Sequence, residues 1–248
     1  MATEVIIWSV AASSFLIVGA LVGWLAALPA RVIASLLAFG GGILISVAAF
    51  ELLEKAHRAA GLMPVIVGYV VGAMLFAFGL RSLDQAGARY RKRTPAGAPV
   101  ASSAAAGGVI ALATVLDGIP ESLIIGLNFS QGKALGFATV IAVLLSNFPE
   151  GVASTARMRA EGRSFPYVIG LWASVALVSG GCAWIGYHTL GELPMVWVAF
   201  TEAVAAGALF VYVADHMVPE AFAETHEAAG LITALGFLFG FGLAEGMV

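Results

Sequence analysis

Unbroken apolar runs restrict this chain more than any motif does. Val32 to Phe50 and Ser164 to Gly191 are apolar almost throughout. An outer-membrane barrel would instead alternate polar and apolar residues in segments of about ten. In hydrocarbon every backbone N–H and C=O must find a partner, and continuous runs do this only as helices. The balance of residues agrees: 60% are hydrophobic and 11% charged, against roughly 25% charged in a soluble domain, and mean hydropathy is +0.98. At about 20 residues per crossing, the 248 residues leave room for eight spans and short loops. The expected fold is all-α and polytopic, with eight transmembrane helices in one integral membrane domain covering 1–248.

The spans are expected near Val5–Leu28, Val32–Glu54, Leu62–Leu80, Gly107–Phe129, a fifth from the turn Ser130-Gln-Gly-Lys133 to about Thr155, Phe165–Tyr187, Val196–Met217 and Ala228–Leu243. The first has no positive n-region and is longer than a signal-peptide core, so it reads as a retained span. Residues 84–108 combine a basic cluster, Arg89, Arg91, Lys92 and Arg93, with an Ala, Ser, Pro and Gly-rich stretch, which predicts a flexible cytoplasmic loop. Alternate sides of this layout hold nine and three of the lysines and arginines. The nine-charge side is therefore expected in the cytoplasm and both termini outside it, in a bacterial inner (plasma) membrane. The single Cys182 excludes an intrachain disulfide.

Two stretches place acids within this apolar background: Leu116-Asp-Gly-Ile-Pro-Glu-Ser122 and Leu145-Ser-Asn-Phe-Pro-Glu-Gly151. Their prolines are 29 residues apart, a spacing that fits one helix, a turn and a second helix returning beside it. Glu121 and Glu150 then reach similar depths, where carboxylates need a polar interior and a partner. Asp117 lies four residues before Glu121, and Ser146 four before Glu150, so each pair shares a helix face; Asn147 is three before Glu150. Three carboxylates, an amide and a hydroxyl form an oxygen-rich set suited to a divalent cation. Pro120 and Pro149 also leave a carbonyl four residues earlier without its helical donor. The plainer alternative is a pair of structural kinks whose acids are neutral or hydrogen-bonded.

Other polar residues carry two readings as well. Glu202 lies inside span seven and either faces the pathway or anchors a helix. His216, Glu220, Glu224 and His226 form an exit or sensing site, or a hydrated helix end. Glu51 and Glu54 attract cations at the mouth, or cap an interfacial helix. A second echo links GILISVAAFELLEK at Gly42 to Lys55 with GALFVYVADHMVPE at Gly207 to Glu220, as in transporters built from repeated halves. There is no His-Glu-x-x-His, Walker loop, Rossmann fingerprint or CxxC, so no enzyme is expected, and the basic cluster is explained by membrane orientation rather than nucleic acid.

These residues together resemble the ZIP family of zinc and iron permeases. The paired Pro-Glu stretches are the most specific part, joined by the variable loop after span three and the acidic helix ends AAFELLEKAH and ADHMVPEAF. The resemblance implies inverted three-helix halves around spans four and five, a homodimer, and uptake of divalent metal toward the cytoplasm: zinc most often, with iron, manganese or cadmium accepted by some members. No prosthetic group is implied, since the metal is the substrate. The family's core motif, close to His-Asn-x-Pro-Glu-Gly, falls on Asp117, Gly118, Pro120, Glu121 and Ser122 and on Ser146, Asn147, Pro149, Glu150 and Gly151. Both histidines are absent, and the carboxylate many members carry in span six falls near Ser179. An oxygen-rich set of this kind suits manganese, iron(II) or a broad site as well as zinc.

Overall fold

A computed structural model describes residues 2–26, 28–93, 104–160 and 162–244, with the side chains of 80, 83–93, 104–117, 133–135 and 138 outside that description. Among the described residues the chain forms eight long helices: α1 (Ala2–Leu25), α2 (Ala30–Ala60), α3 (Leu62–Arg93), α4 (Ala104–Gln131), α5 (Lys133–Ala160), α6 (Phe165–Glu192), α7 (Met195–Thr225) and α8 (Ala228–Ala244). Pro29 and Pro194 precede α2 and α7 as N-caps, where a missing N–H costs nothing. Gly61 at φ 80° turns α2 into α3, a conformation that only glycine adopts freely.

Five of these helices, α1, α2, α3 over Leu62–Gly79, α6 and α7, are long and apolar enough to cross a membrane. The expected architecture of eight transmembrane helices, in three-helix halves around spans four and five, is corrected accordingly to eight α-helices of which five qualify as spans. α8 has only 17 residues, and among the described residues neither α4 nor α5 offers a stretch both long and apolar enough. Of the expected flexible loop at 84–108, the backbone is helical to Arg93 and again from Ala104, and residues 94–103 lie outside the described residues.

Packing follows from small residues at regular spacing. On α1 the buried residues are Val5, Ser9, Ala12, Ser13, Leu16, Gly19, Ala20 and Gly23, one stripe of three- and four-residue steps. That stripe lies against α5 and α6. Lipid supplies no hydrophobic drive between helices, so close backbone contact through small residues takes its place. A Cβ at Gly19 would stand 2.3 Å from the Phe148 carbonyl oxygen, and one at Gly151 would stand 2.4 Å from that of Leu16. Reciprocal glycines also join α4 to α6 (Gly126, Gly186), α3 to α7 (Gly72, Gly207) and α2 to α8 (Gly42, Gly236).

These contacts set α4 and α5 side by side, with α1 and α6 flanking them and α2 and α7 on the opposite side. α2 and α7 are central, each with 61% of its apolar window buried, whereas α3 has 22%. α3 turns Met63, Val67, Val70, Met74 and Phe78 outward, as a surface in contact with lipid does. α2 and α7 share an irregularity: Val47–Glu54 and Val213–Met217 are π-helical. Both lie in the two segments whose sequences echo each other.

Enlarging Gly151 should separate α1 from α5. Gly151→Leu is expected to lower the thermal midpoint of the detergent-solubilised protein, by an overpacking cost of about 1–3 kcal/mol or more, read by fluorescence-detected size exclusion after heating. Leu16→Ala, which trims a side chain but leaves the backbone contact, should cost less than Gly151→Leu.

Candidate metal site

Pro120 and Pro149 both lie inside continuous helices. The ring of Pro149 packs toward α2, where a Cβ built on Gly40 would be 3.1 Å from its Cγ. Each proline precedes its glutamate, and the two glutamates face a common narrow cavity between α1, α4, α5 and α6. Its lining includes Ser13, Gly118, Glu121, Asn147, Glu150 and Ser179, and its free volume of about 10 Å³ is on the scale of a single water-sized occupant. Glu121 is 7% exposed, and Glu150 lines the same cavity from the neighbouring helix.

Hydrogen bonds fix the walls. Asn147 Nδ2 donates to the Ala12 carbonyl across to α1 at 3.1 Å. Ser122 Oγ donates to the Gly118 carbonyl at 2.7 Å, and Ser9 Oγ to the Ser179 carbonyl at 3.1 Å. Tyr212 of α7 hydrogen-bonds the Glu150 carboxylate, so a central helix reaches the site from outside the flanking pair. Deeper in α5, Trp172 Nε1 donates to Thr155 Oγ1 at 3.1 Å and anchors α6.

The sequence candidates separate into groups. Glu121, Glu150 and Asn147 meet at the cavity, and Ser179 joins them from α6. Ser146 is buried beside them, but its hydroxyl donates to the Val143 carbonyl of its own helix at 3.0 Å and it is not part of the lining. The side chain of Asp117 lies outside the described residues. Ser13 and Tyr212 were not among the sequence candidates. Ser13 belongs to a small-residue stripe that reads only as packing, and Tyr212 lies within the echo segment, three residues before Asp215, with no local signal of its partner.

The outlying candidates lie at two ends. At one, Glu51 is buried in the π-helical part of α2, Glu54 pairs with Arg58, and Glu202, 1% exposed, meets Lys55 at 3.4 Å and Gln131 at 3.4 Å. At the other, Glu220 pairs with Arg157 of α5, and His216 stands 5.9 Å from the Tyr212 ring. Glu224 and His226 are exposed, with His226 at φ 49° where α7 ends. Among the described residues no group of three or more His, Cys, Asp or Glu side chains could hold a metal ion. The cavity therefore offers two carboxylates supplemented by amide, hydroxyl and backbone oxygens, a donor set for a hard or borderline dication.

Apolar helices of spanning length around a buried carboxylate pair define an integral membrane protein with a polar interior. A family model described as ZIP Zinc transporter matches residues 81–247, more than half of the chain, and the chain belongs to that family. It is a membrane transporter of divalent cations and not an enzyme. A comparison with curated proteins returns no match.

The different placement of two neighbouring residues can be tested by metal binding. Ser146→Ala should change the affinity for Zn²⁺ or Mn²⁺ by less than about twofold, because its hydroxyl is already satisfied within α5, whereas Asn147→Leu should weaken it by about tenfold, the scale of one lost polar contact. Isothermal titration of the solubilised protein checks both.

Proposed function

We propose that the transported dication is coordinated at the cavity by Glu121 and Glu150, with Asn147 as a neutral oxygen ligand and Asp117 as a further carboxylate. The carrying observation is the convergence of Glu121 and Glu150, from different helices, on one buried cavity. Two carboxylates side by side in a low-dielectric interior repel each other, and an ion of charge +2 neutralises both at once. A dication leaving water loses hydration that this oxygen set replaces. Without imidazole among these ligands, the site accepts Mn²⁺ and Fe²⁺ alongside Zn²⁺ and Cd²⁺.

The direction of flow in this reading is uptake toward the cytoplasm. Supporting it is the direction implied by the family resemblance; the distribution of lysines and arginines orients the chain with the Arg157 end toward the cytoplasm. Glu51 and Glu54 then stand at the mouth, and Glu220, Glu224 and His226 receive the ion. The same reading puts the protein in a bacterial plasma membrane, as a homodimer.

Flux of Zn²⁺ and Mn²⁺ into proteoliposomes tests the site. Glu121→Gln and Glu150→Gln should each reduce the initial rate by about a hundredfold, the loss expected when a desolvated ion loses one of its charged partners; rates equal to the unaltered protein's in both variants would remove these glutamates from the pathway. Carboxylates bind metal only when deprotonated, so metal affinity falls as pH falls. Flux at subsaturating metal should accordingly decrease on acidification. Metal binding without flux would favour a sensor, and flux of another solute unaffected by divalent metals would favour a different cargo.

A further inference from the structure

One polar cluster lies outside the cavity yet on the same seam. Asn128 is seven residues beyond Glu121 on α4, and Thr139 is eleven before Glu150 on α5. Both separations are close to whole numbers of helical turns, so each residue shares a face with its glutamate, about 10 and 16 Å further along. Asn128 and Thr139 are buried, and Asn128 Nδ2 donates to Thr139 Oγ1 at 2.7 Å. Onto this bridge comes Lys55 from α2. Its Nζ donates to Asn128 Oδ1 at 2.8 Å and stands 3.4 Å from the Glu202 carboxylate of α7. The lysine side chain is 24% exposed and that of Glu202 is 1% exposed, so the ammonium lies between solvent and a buried acid. Four helices meet at this one group.

We propose that Lys55 is a tethered cation that closes this end of the pathway, holding Glu202 until an incoming dication displaces its ammonium. The proposal rests on the transport reading above, since it needs the seam to lead to Glu121 and Glu150. An acid on the route would otherwise bind a dication tightly and delay its passage inward. A lysine beside it keeps Glu202 neutralised while the seam is empty and, being covalently attached, has only to swing aside. Lys55 is thus a specificity-determining and positioning residue: it raises the metal concentration needed for uptake and disfavours monovalent ions, which gain less from Glu202 than the lysine already supplies.

The test is the apparent KM for Zn²⁺ and Mn²⁺ in proteoliposomes sorted for one orientation, with metal supplied on the Lys55 side. Lys55→Gln keeps a donor for Asn128 but removes the charge. It should lower the apparent KM by about threefold, the scale of one partly screened ion pair, and Lys55→Met should do the same. Lys55→Arg should keep the unaltered protein's KM. In Lys55→Gln with Glu202→Gln the gain should vanish. An unchanged KM in Lys55→Gln would make Lys55 a structural hydrogen-bond donor only and overturn the proposal, as would a gain that survives Glu202→Gln. Should Lys55→Met not fold, Lys55→Gln decides alone. Flux retained in Glu121→Gln would count against the central site, whereas an inactive Glu121→Gln with an unaltered KM in Lys55→Gln would remove the Lys55 proposal and leave the central site standing.

Discussion

The position of Glu150 depends on the residue that follows it. Gly151 lies against the Leu16 backbone of α1, and Gly19 of α1 lies against Phe148. Between helices in lipid there is no hydrophobic gain from association, so this backbone contact and the Asn147 bond to the Ala12 carbonyl hold α1 to α5. With α5 fixed, its proline-containing turn presents Glu150 and Asn147 to the side where α4 presents Glu121. A larger residue at position 151 would move the carboxylate together with the helix. The same device recurs in the three other glycine-joined pairs, so the site is built on tight contacts rather than on flexible loops.

Much of the centre was legible in the sequence because its signals are local. A Pro-Glu pair inside an apolar run is conspicuous, and a doubled one separated by a helix and a turn fixes its own pairing. The turn expected at Ser130 to Lys133 is where α4 gives way to α5. The ZIP resemblance drawn from these stretches agrees with the family to which the chain belongs. Side-chain direction was less accessible. Ser146 and Asn147 are adjacent in sequence, yet one turns back onto its own helix and the other bridges to α1, and helical spacing alone does not separate a serine's own-carbonyl bond from a ligand role.

Other features depended on distant residues. Lys55 and Glu202 are 147 positions apart, and no local signal relates a lysine just past the expected second span to an acid inside the seventh. Instead α2 continues as helix to Ala60 and carries Lys55 inward to Asn128. Tyr212 and Ser13 reached the cavity by the same kind of long-range packing. Counting apolar runs led to eight crossings, whereas five helices among the described residues are long and apolar enough, and α8 is a helix of only 17 residues.

The π-helical stretches of α2 and α7 have a geometric consequence. A wide turn holds more residues than an α turn, so the angular phase of a helix is offset on passing through it. Residues above and below Val47–Glu54 therefore do not continue one stripe, and the same is true across Val213–Met217. One rod can then aim its upper half at one neighbour and its lower half at another. In α2, Gly40 and Gly42 meet α5 and α8 while Lys55 reaches α4. A single unbroken helix thereby acts as a twisted spacer, setting the azimuth at one face of the membrane independently of the other.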